Sequence, residues 1–141
     1  MNLSLSHIAI AVPSIHDVMK RLKALSFEVD ARHKVADEKV DVAFVPVEVS
    51  DHFRIELVEP SSSDSPIAKF LAKRPQGGLH HLCFQVEDIK NWKKTLDGLG
   101  VEVLAPGIRK AARGLALFIH PREMGGVLIE LEEIHELSDG A

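Results

Sequence analysis

Over the first twelve residues apolar and polar positions alternate with a period of two. Ile8, Ile10 and Val12 fall on one face and Leu5, His7, Ala9 and Ala11 on the other, which predicts a strand over 3–12. Pro13-Ser14 stops it. Ser14 with Asp17 three residues on marks a helix start, and Ile15, Val18, Met19, Leu22 and Leu25 recur at helical spacing, predicting a helix that ends near Ser26. Short stretches around 28–33, 40–47 and 52–59, separated by charged or polar turns, predict three strands. The order is β-α-β-β-β. The pattern then starts again, with a strand over His81–Val86, a cap at Asp88 and a helical stripe of Ile89, Trp92, Leu96 and Leu99. Gly98 and Gly100 end that helix, and strands are expected near 102–104, 114–119 and 126–133.

The recurrence is a duplication with a fixed offset, the one that carries His7 onto His81. In that register His7-Ile-Ala-Ile-Ala-Val12 meets His81-Leu-Cys-Phe-Gln-Val86, Ile15 meets Ile89, Leu22 meets Leu96 and Phe44 meets Phe118. Ile55-Glu56-Leu57 meets Ile129-Glu130-Leu131. Such internal periodicity organises every other reading of a chain. Between the copies, Pro60 to Pro66 is a turn-rich linker, and Ser65 as cap with Pro66 in the first helical position predicts a short helix resting on Ile67, Phe70 and Leu71. That helix has no counterpart in the repeat. The expected fold is α+β: two tandem βαβββ modules, about 3–60 and 78–134, joined by a linker with a short helix over 61–77. They would form a single domain over 1–141, with a curved, mostly antiparallel sheet trough and the helices outside. The tail after Ile134 reads as a loosely held end.

The candidate chemistry follows from strand faces. His7 shares its face with Ala9 and Ala11, and His81 with Cys83 and Gln85, whereas the bulky residues between them belong under the helices. Glu56 and Glu130 each alternate against flanking Ile and Leu, so both carboxylates are expected on the helix-free face as well. Two imidazoles and two carboxylates suit a borderline divalent ion such as Co²⁺, Mn²⁺, Ni²⁺ or Zn²⁺. His7, Glu56, His81 and Glu130 are therefore the candidate metal ligands. The spacing matches no local metal motif and has meaning only through the duplication. His80 falls on the opposite face, with Leu82 and Phe84, and reads as structural. Cys83, in an apolar strand, reads as a small buried hydrophobe. His16, His33, His52 and His135 lack repeat partners and read as surface residues, and His120 is left open.

Composition narrows the function classes. A chain of 141 residues, 45% hydrophobic and 27% charged, has the makings of one ordinary globular domain. A net charge of −4 argues against a general affinity for nucleic acid or acidic membranes. The one cysteine leaves no internal disulfide to form and suits a reducing compartment. The first residues carry neither a basic leader nor a long apolar run, so the expected location is the cytoplasm.

Several blocks resemble a known family. His7-Ile-Ala-Ile-Ala-Val, Val42-Ala-Phe-Val-Pro46, Ile55-Glu-Leu-Val-Glu-Pro60, Asp64 to Leu71, Gly78-Leu-His-His81 and His120-Pro with Gly126-Val-Leu-Ile-Glu-Leu131 are similar to the vicinal-oxygen-chelate (glyoxalase/bleomycin-resistance) superfamily. Within it they look most like the methylmalonyl-CoA epimerases. The resemblance implies a metal-dependent epimerase that interconverts (R)- and (S)-methylmalonyl-CoA by α-proton abstraction through a metal-stabilised enolate. It assigns His7, Glu56, His81 and Glu130 to the metal, with cobalt foremost and manganese, nickel or zinc as alternatives. It further implies an acyl-CoA substrate and a homodimer. Glu130 is then one acid–base group. Asp41, which aligns with a catalytic glutamate of some members, is the preferred second, and Glu56 the substitute if Asp41 points away. The alternatives are a glyoxalase I-type lactoylglutathione lyase, which uses the same ligand set, and a non-catalytic small-molecule-binding member. The basic run Arg109 to Arg113, on a loop flanked by glycine and proline, has two readings: a segment that holds the CoA phosphates or the substrate carboxylate by charge-assisted hydrogen bonds, or a plain solvated loop, and it is left out of the candidate site.

Overall fold

A computed structural model describes residues 2–27, 32–46 and 53–135. In chain order the elements are β1 (Leu3–Ala11), α1 (Ile15–Ala24), β2 (His33–Val35), β3 (Val40–Pro46), β4 (Arg54–Pro60) and α2 (Pro66–Lys73). They continue with β5 (Gly78–Val86), α3 (Ile89–Gly98), β6 (Arg109–Ala111), β7 (Gly114–Ile119) and β8 (Leu128–Ile134). The fold class is α+β, with the β-α-β-β-β order present twice. The chain divides into two compact units, one spanning His7–His80 and the other running from His81 together with the strand residues before His7.

In the first unit β2 and β4 flank β3 antiparallel, and β1 joins β4 parallel. In the second, β6 and β8 flank β7 antiparallel, and β5 joins β8 parallel. The parallel contact arises because the helix carries the chain back over the sheet, the connection that parallel strands require. Each unit then buries one sheet face under its helix. Ile15, Val18, Met19 and Leu22 of α1 pack on Ile10, Ala43, Val45, Ile55 and Leu57. Ile89, Trp92 and Leu96 of α3 pack on Leu82, Phe84, Leu117, Ile129 and Leu131. These are the apolar stripes of the sequence meeting the alternate residues of the strands.

The helix starts are built alike. The Ser14 hydroxyl accepts from the Asp17 N–H at 3.2 Å, and the Asp88 carboxylate from the Asn91 N–H at 3.2 Å. A second carboxylate reaches each helix from the last strand of its own unit. Ile15 N–H donates to Glu59 Oε1 at 3.3 Å and Ile89 N–H to Glu133 Oε2 at 2.8 Å. Both acids lie three residues beyond a candidate ligand glutamate, hence on the opposite face of the strand. Acids there satisfy backbone donors that the first helical turn leaves open and meet the positive end of the helix dipole.

Helix α2 has its cap where expected, with Ser65 Oγ accepting from Ile67 N–H at 3.1 Å and Pro66 opening the helix. It lies on the other sheet face of the first unit, where Ile67, Phe70 and Leu71 cover Ala11, Val40, Val42 and Val58. Leaving α2, the chain turns at Gly77 with φ +82°, where a Cβ would stand 2.2 Å from the Ala11 carbonyl oxygen. Only glycine fits there.

Two strand expectations need correction. Near 102–104 the chain makes a single bridge, Val103 to Ile119, and the strand comes later, at Arg109–Ala111. Val101 and Val103 serve instead as anchors against the α3 core. The early strand of the first half begins at His33, and positions 28–31 of the expected segment lie outside the described residues. No helix among the described residues is long and apolar enough to cross a membrane.

Candidate active site

The first unit brings His7 and Glu56 together. In the parallel register His7 sits beside Arg54 and Ala9 beside Glu56, so the pair meets on the diagonal with Nε2 to Oε2 at 3.5 Å. The second unit repeats it. His81 sits beside Leu128 and Cys83 beside Glu130, and His81 Nε2 lies 3.7 Å from Glu130 Oε2. All four side chains are nearly buried, with 10% to 17% of their surface exposed. The residue next to each glutamate in the histidine strand is small, Ala9 or Cys83, which leaves room above the sheet between the two side chains. On the other flank of each glutamate stands a phenylalanine, Phe44 opposite Glu56 and Phe118 opposite Glu130. Each unit thus offers one imidazole nitrogen and one carboxylate oxygen, side by side and partly dry.

Asp41 is not part of this face. Its register partner is Glu59, and the alternation of β3 places it with Ala43 and Val45, the residues packed beneath α1. The expectation that Asp41 is the second acid–base group is therefore corrected: it points away from the face of Glu56, on the side of the sheet that α1 covers. Arg32 donates through Nη2 to Asp41 Oδ2 at 2.8 Å and also pairs with Glu59. These carboxylates raise the already high pKa of the guanidinium, the hydrogen bond to Asp41 contributing most. Asp41 thus belongs to a salt-bridge cluster at the start of α1, on the opposite side of the strand from Glu56.

Cys83 is fully buried, and burial, reinforced by the negative charges of Glu130 and Glu132, pushes its thiol far above the ordinary range. Its Sγ lies 3.8 Å from Glu132 Oε2. It is a protonated donor within the acidic face and has no thiolate to offer as a nucleophile. His80 stands edge-on to Phe70 with ring centroids 5.1 Å apart, and burial lowers its pKa. That environment agrees with a structural role. His120 caps a short 3₁₀ turn, its Nδ1 accepting from Arg122 N–H at 3.1 Å. His16, His33 and His135 are exposed, and His52 lies outside the described residues.

Sequence reasoning did not single out Glu132, a nearly buried acid on the same face as Glu130, 3.7 Å from Arg113 Nη2. Its signal was the alternation Glu130, Leu131, Glu132. It also passed over Arg54 and left Arg109, noted within its basic run, outside the site; their guanidinium carbons stand 4.2 Å and 4.8 Å from the ring centres of Phe44 and Phe118.

The chain matches the Glyoxalase/Bleomycin resistance protein/Dioxygenase superfamily over residues 6–118. It is 40% identical, over 92% of its length and 97% of the relative's, to the ethylmalonyl-CoA/methylmalonyl-CoA epimerase of Cereibacter sphaeroides. The chain belongs to this superfamily, among its epimerases. Solved structures agree. The methylmalonyl-CoA epimerase of Mycobacterium tuberculosis superposes with a TM-score of 0.78 at 31% identity, covering 93% of this chain and 87% of that one. A methylmalonyl-CoA epimerase in complex with methylmalonyl-CoA and an ammonium ion superposes with a TM-score of 0.78 at 28% identity, covering 94% and 95%. As a superfamily member of the epimerase type, the chain is an isomerase.

Superfamily members bind divalent metals, and the residues present fit one. In each unit an imidazole nitrogen and a carboxylate oxygen stand side by side, the N/O donor types a first-row divalent ion takes, and their partial burial strengthens the attraction between carboxylate and cation.

Proposed function

We propose that the chain is a methylmalonyl-CoA epimerase in which His7, Glu56, His81 and Glu130 hold one divalent cation. The observation that supports this most directly is the recurrence of an imidazole–carboxylate pair at the same register in each unit, in a chain so similar to known epimerases. Cobalt is the favoured ion, with manganese, nickel and zinc compatible with the same donors. When bound, the ion supplies Lewis acidity that stabilises negative charge on the acyl oxygens.

The protein's own contribution is proton transfer. Epimerisation removes a proton from one face of the α-carbon and returns one to the other, which requires two acid–base groups. Glu130 takes one face. With Asp41 turned under α1, Glu56 takes the second. Each carboxylate lies between a small residue and a phenylalanine, a setting that keeps bulk water away from the reacting carbon. The neighbouring imidazoles orient the carboxylates.

The acyl-CoA substrate is supported by the complex reported for the structural relative, and the epimerase relatives favour this reading over the glyoxalase I-type activity. A homodimer in the cytoplasm completes the proposal, supported by the family resemblance and by the free thiol of Cys83.

The test combines elemental analysis with exchange of the α-proton of methylmalonyl-CoA in D₂O. The expected result is about one ion per chain, lost in His7→Ala and in His81→Ala alike. Exchange and epimerisation should accompany the metal. Metal-loaded protein that exchanges no α-proton would sink the epimerase assignment, and metal content indifferent to both histidines would sink the ligand set.

A further inference from the structure

We propose that Arg109 recognises the free carboxylate of the acyl group and so sets the preference for a dicarboxylic acyl-CoA; this rests on the epimerase reading above. Strand β6 places Arg109 opposite Ala116, which lies two residues from Phe118, so Arg109, Phe118 and Glu130 share one sheet face. The guanidinium lies over the Phe118 ring, and its Nη2 donates to the Ala105 carbonyl at 3.0 Å. Those two contacts fix the plane of the fork without neutralising it. Arg32, Arg113 and Arg122 each have a carboxylate within 4 Å, whereas Arg109 has none among the described residues. Its Nε is buried and has no hydrogen-bond partner there. A cation held on an aromatic face, and left short of acceptors beside an acidic site, is poised for an anionic ligand.

The same arrangement occurs in the other unit, where Arg54 lies over Phe44 beside Glu56 and its Nε is likewise buried without a partner. The two arginines are not repeat equivalents. Position 54 corresponds to Leu128 and position 109 to Val35. Duplication passed on the phenylalanine and the glutamate, and each half acquired its arginine from a different strand. A relic of the ancestral module would occupy matched positions.

Distance selects the carboxylate over the phosphates of CoA. Neighbouring strands run about 4.8 Å apart, so a guanidinium stacked on Phe118 is one strand away from Glu130. That is the span of a malonyl unit, in which the carboxylate is bonded to the reacting carbon. The CoA phosphates lie at the far end of the pantetheine arm.

Calorimetric binding of malonyl-CoA, propionyl-CoA, CoA and dephospho-CoA to the protein as purified tests this without net turnover. Wild type should bind malonyl-CoA more tightly than propionyl-CoA. Arg109→Gln should reduce that preference by about tenfold or more, the size expected for a lost charge-assisted hydrogen bond, with CoA and dephospho-CoA unaffected. Arg109→Lys should recover part of it, and an unchanged circular dichroism spectrum should show both variants folded. A preference unchanged in Arg109→Gln, or a loss that falls on CoA relative to dephospho-CoA, overturns the inference. Wild type that discriminates the acyl chains yet epimerises nothing would overturn the proposed activity and leave this recognition standing.

Discussion

The two units share a strand pattern and complete it in opposite ways. Beyond its His–Glu pair the unit spanning His7–His80 carries Ala11, Val40, Val42 and Val58, all buried, with α2 laid over them. At the matching positions the other unit has Gln85, Gly114, Ala116 and Glu132. Helix α2 was inserted once, between the copies, and has no second version. One half therefore turns this end of its face into core, while the other keeps it polar, with Arg113 reaching Glu132 and Cys83 buried beside it. The difference teaches that the duplicated part of the design is the ligand pair and the helix-capped sheet behind it. What surrounds the pair is specific to each half, so the two glutamates need not be equivalent in the reaction.

The largest expected effect separates those glutamates. Glu130→Gln and Glu56→Gln should each lower epimerisation by about 10³-fold, the scale of a lost general base. If the two carboxylates serve opposite faces of the α-carbon, each variant should still exchange the proton of one enantiomer, and the surviving enantiomers should differ. NMR of (R)- and (S)-methylmalonyl-CoA in D₂O reads this, and identical residual exchange would show that one carboxylate does both tasks.

Next in size is a reciprocal swap across the repeat. Val58→Glu puts a carboxylate beneath α2 among Ile67, Val42 and Ala11, and should cost about 3 kcal/mol or more in urea denaturation, because that charge has no partner there. Glu132→Val, the reverse change in the other unit, should alter stability by no more than about 1 kcal/mol, since Arg113, the cation it leaves behind, is half exposed and is solvated by water. Equal costs would mean that the faces are not as different as their neighbours indicate.

The smallest effect concerns the helix starts. Glu133→Gln should cost about 0.5 to 1 kcal/mol at neutral pH, the low end for a cap because the carboxylate is close to solvent. The Ile89 N–H first, and His135 after it, hold the Glu133 carboxyl below the usual glutamate range. A depressed folded value means that the stabilisation is present above the ordinary glutamate pKa and is lost as pH falls through the folded one. The gap between wild type and Glu133→Gln should accordingly narrow on acidification. A gap that widened would invert the sign and remove Glu133 as a charged cap.

Much of this was legible in the sequence because the repeat supplies a second measurement of every position. The strands of His7 and His81, both amphipathic helices and the α2 cap follow from periodicity and turn chemistry alone. Three features did not, each for a physical reason. Strand β6 is three residues long at a sheet edge, and Arg109-Lys110-Ala111 has no apolar alternation to announce it. The face of Asp41 was misjudged because alternation says which residues share a side, and not which side the helix covers. The repeat held the answer, since Asp41 corresponds to Leu115 and Ala43 to Leu117, both in the α3 core. The capping role of Glu59 and Glu133 was hidden because a solvated acid and a helix-capping acid look alike until the strand's facing is known.

The final strand of each unit carries two acids three positions apart, and this makes it intolerant of small changes in length. Deleting one residue between Glu130 and Glu133 would turn one of them over. Either the carboxylate meant for chemistry would slide beneath α3, or the one that greets Ile89 would swing out across the sheet. Point substitutions can drift along this segment, but frame-preserving insertions and deletions have nowhere to settle, and natural length variation should gather in the connecting loops instead.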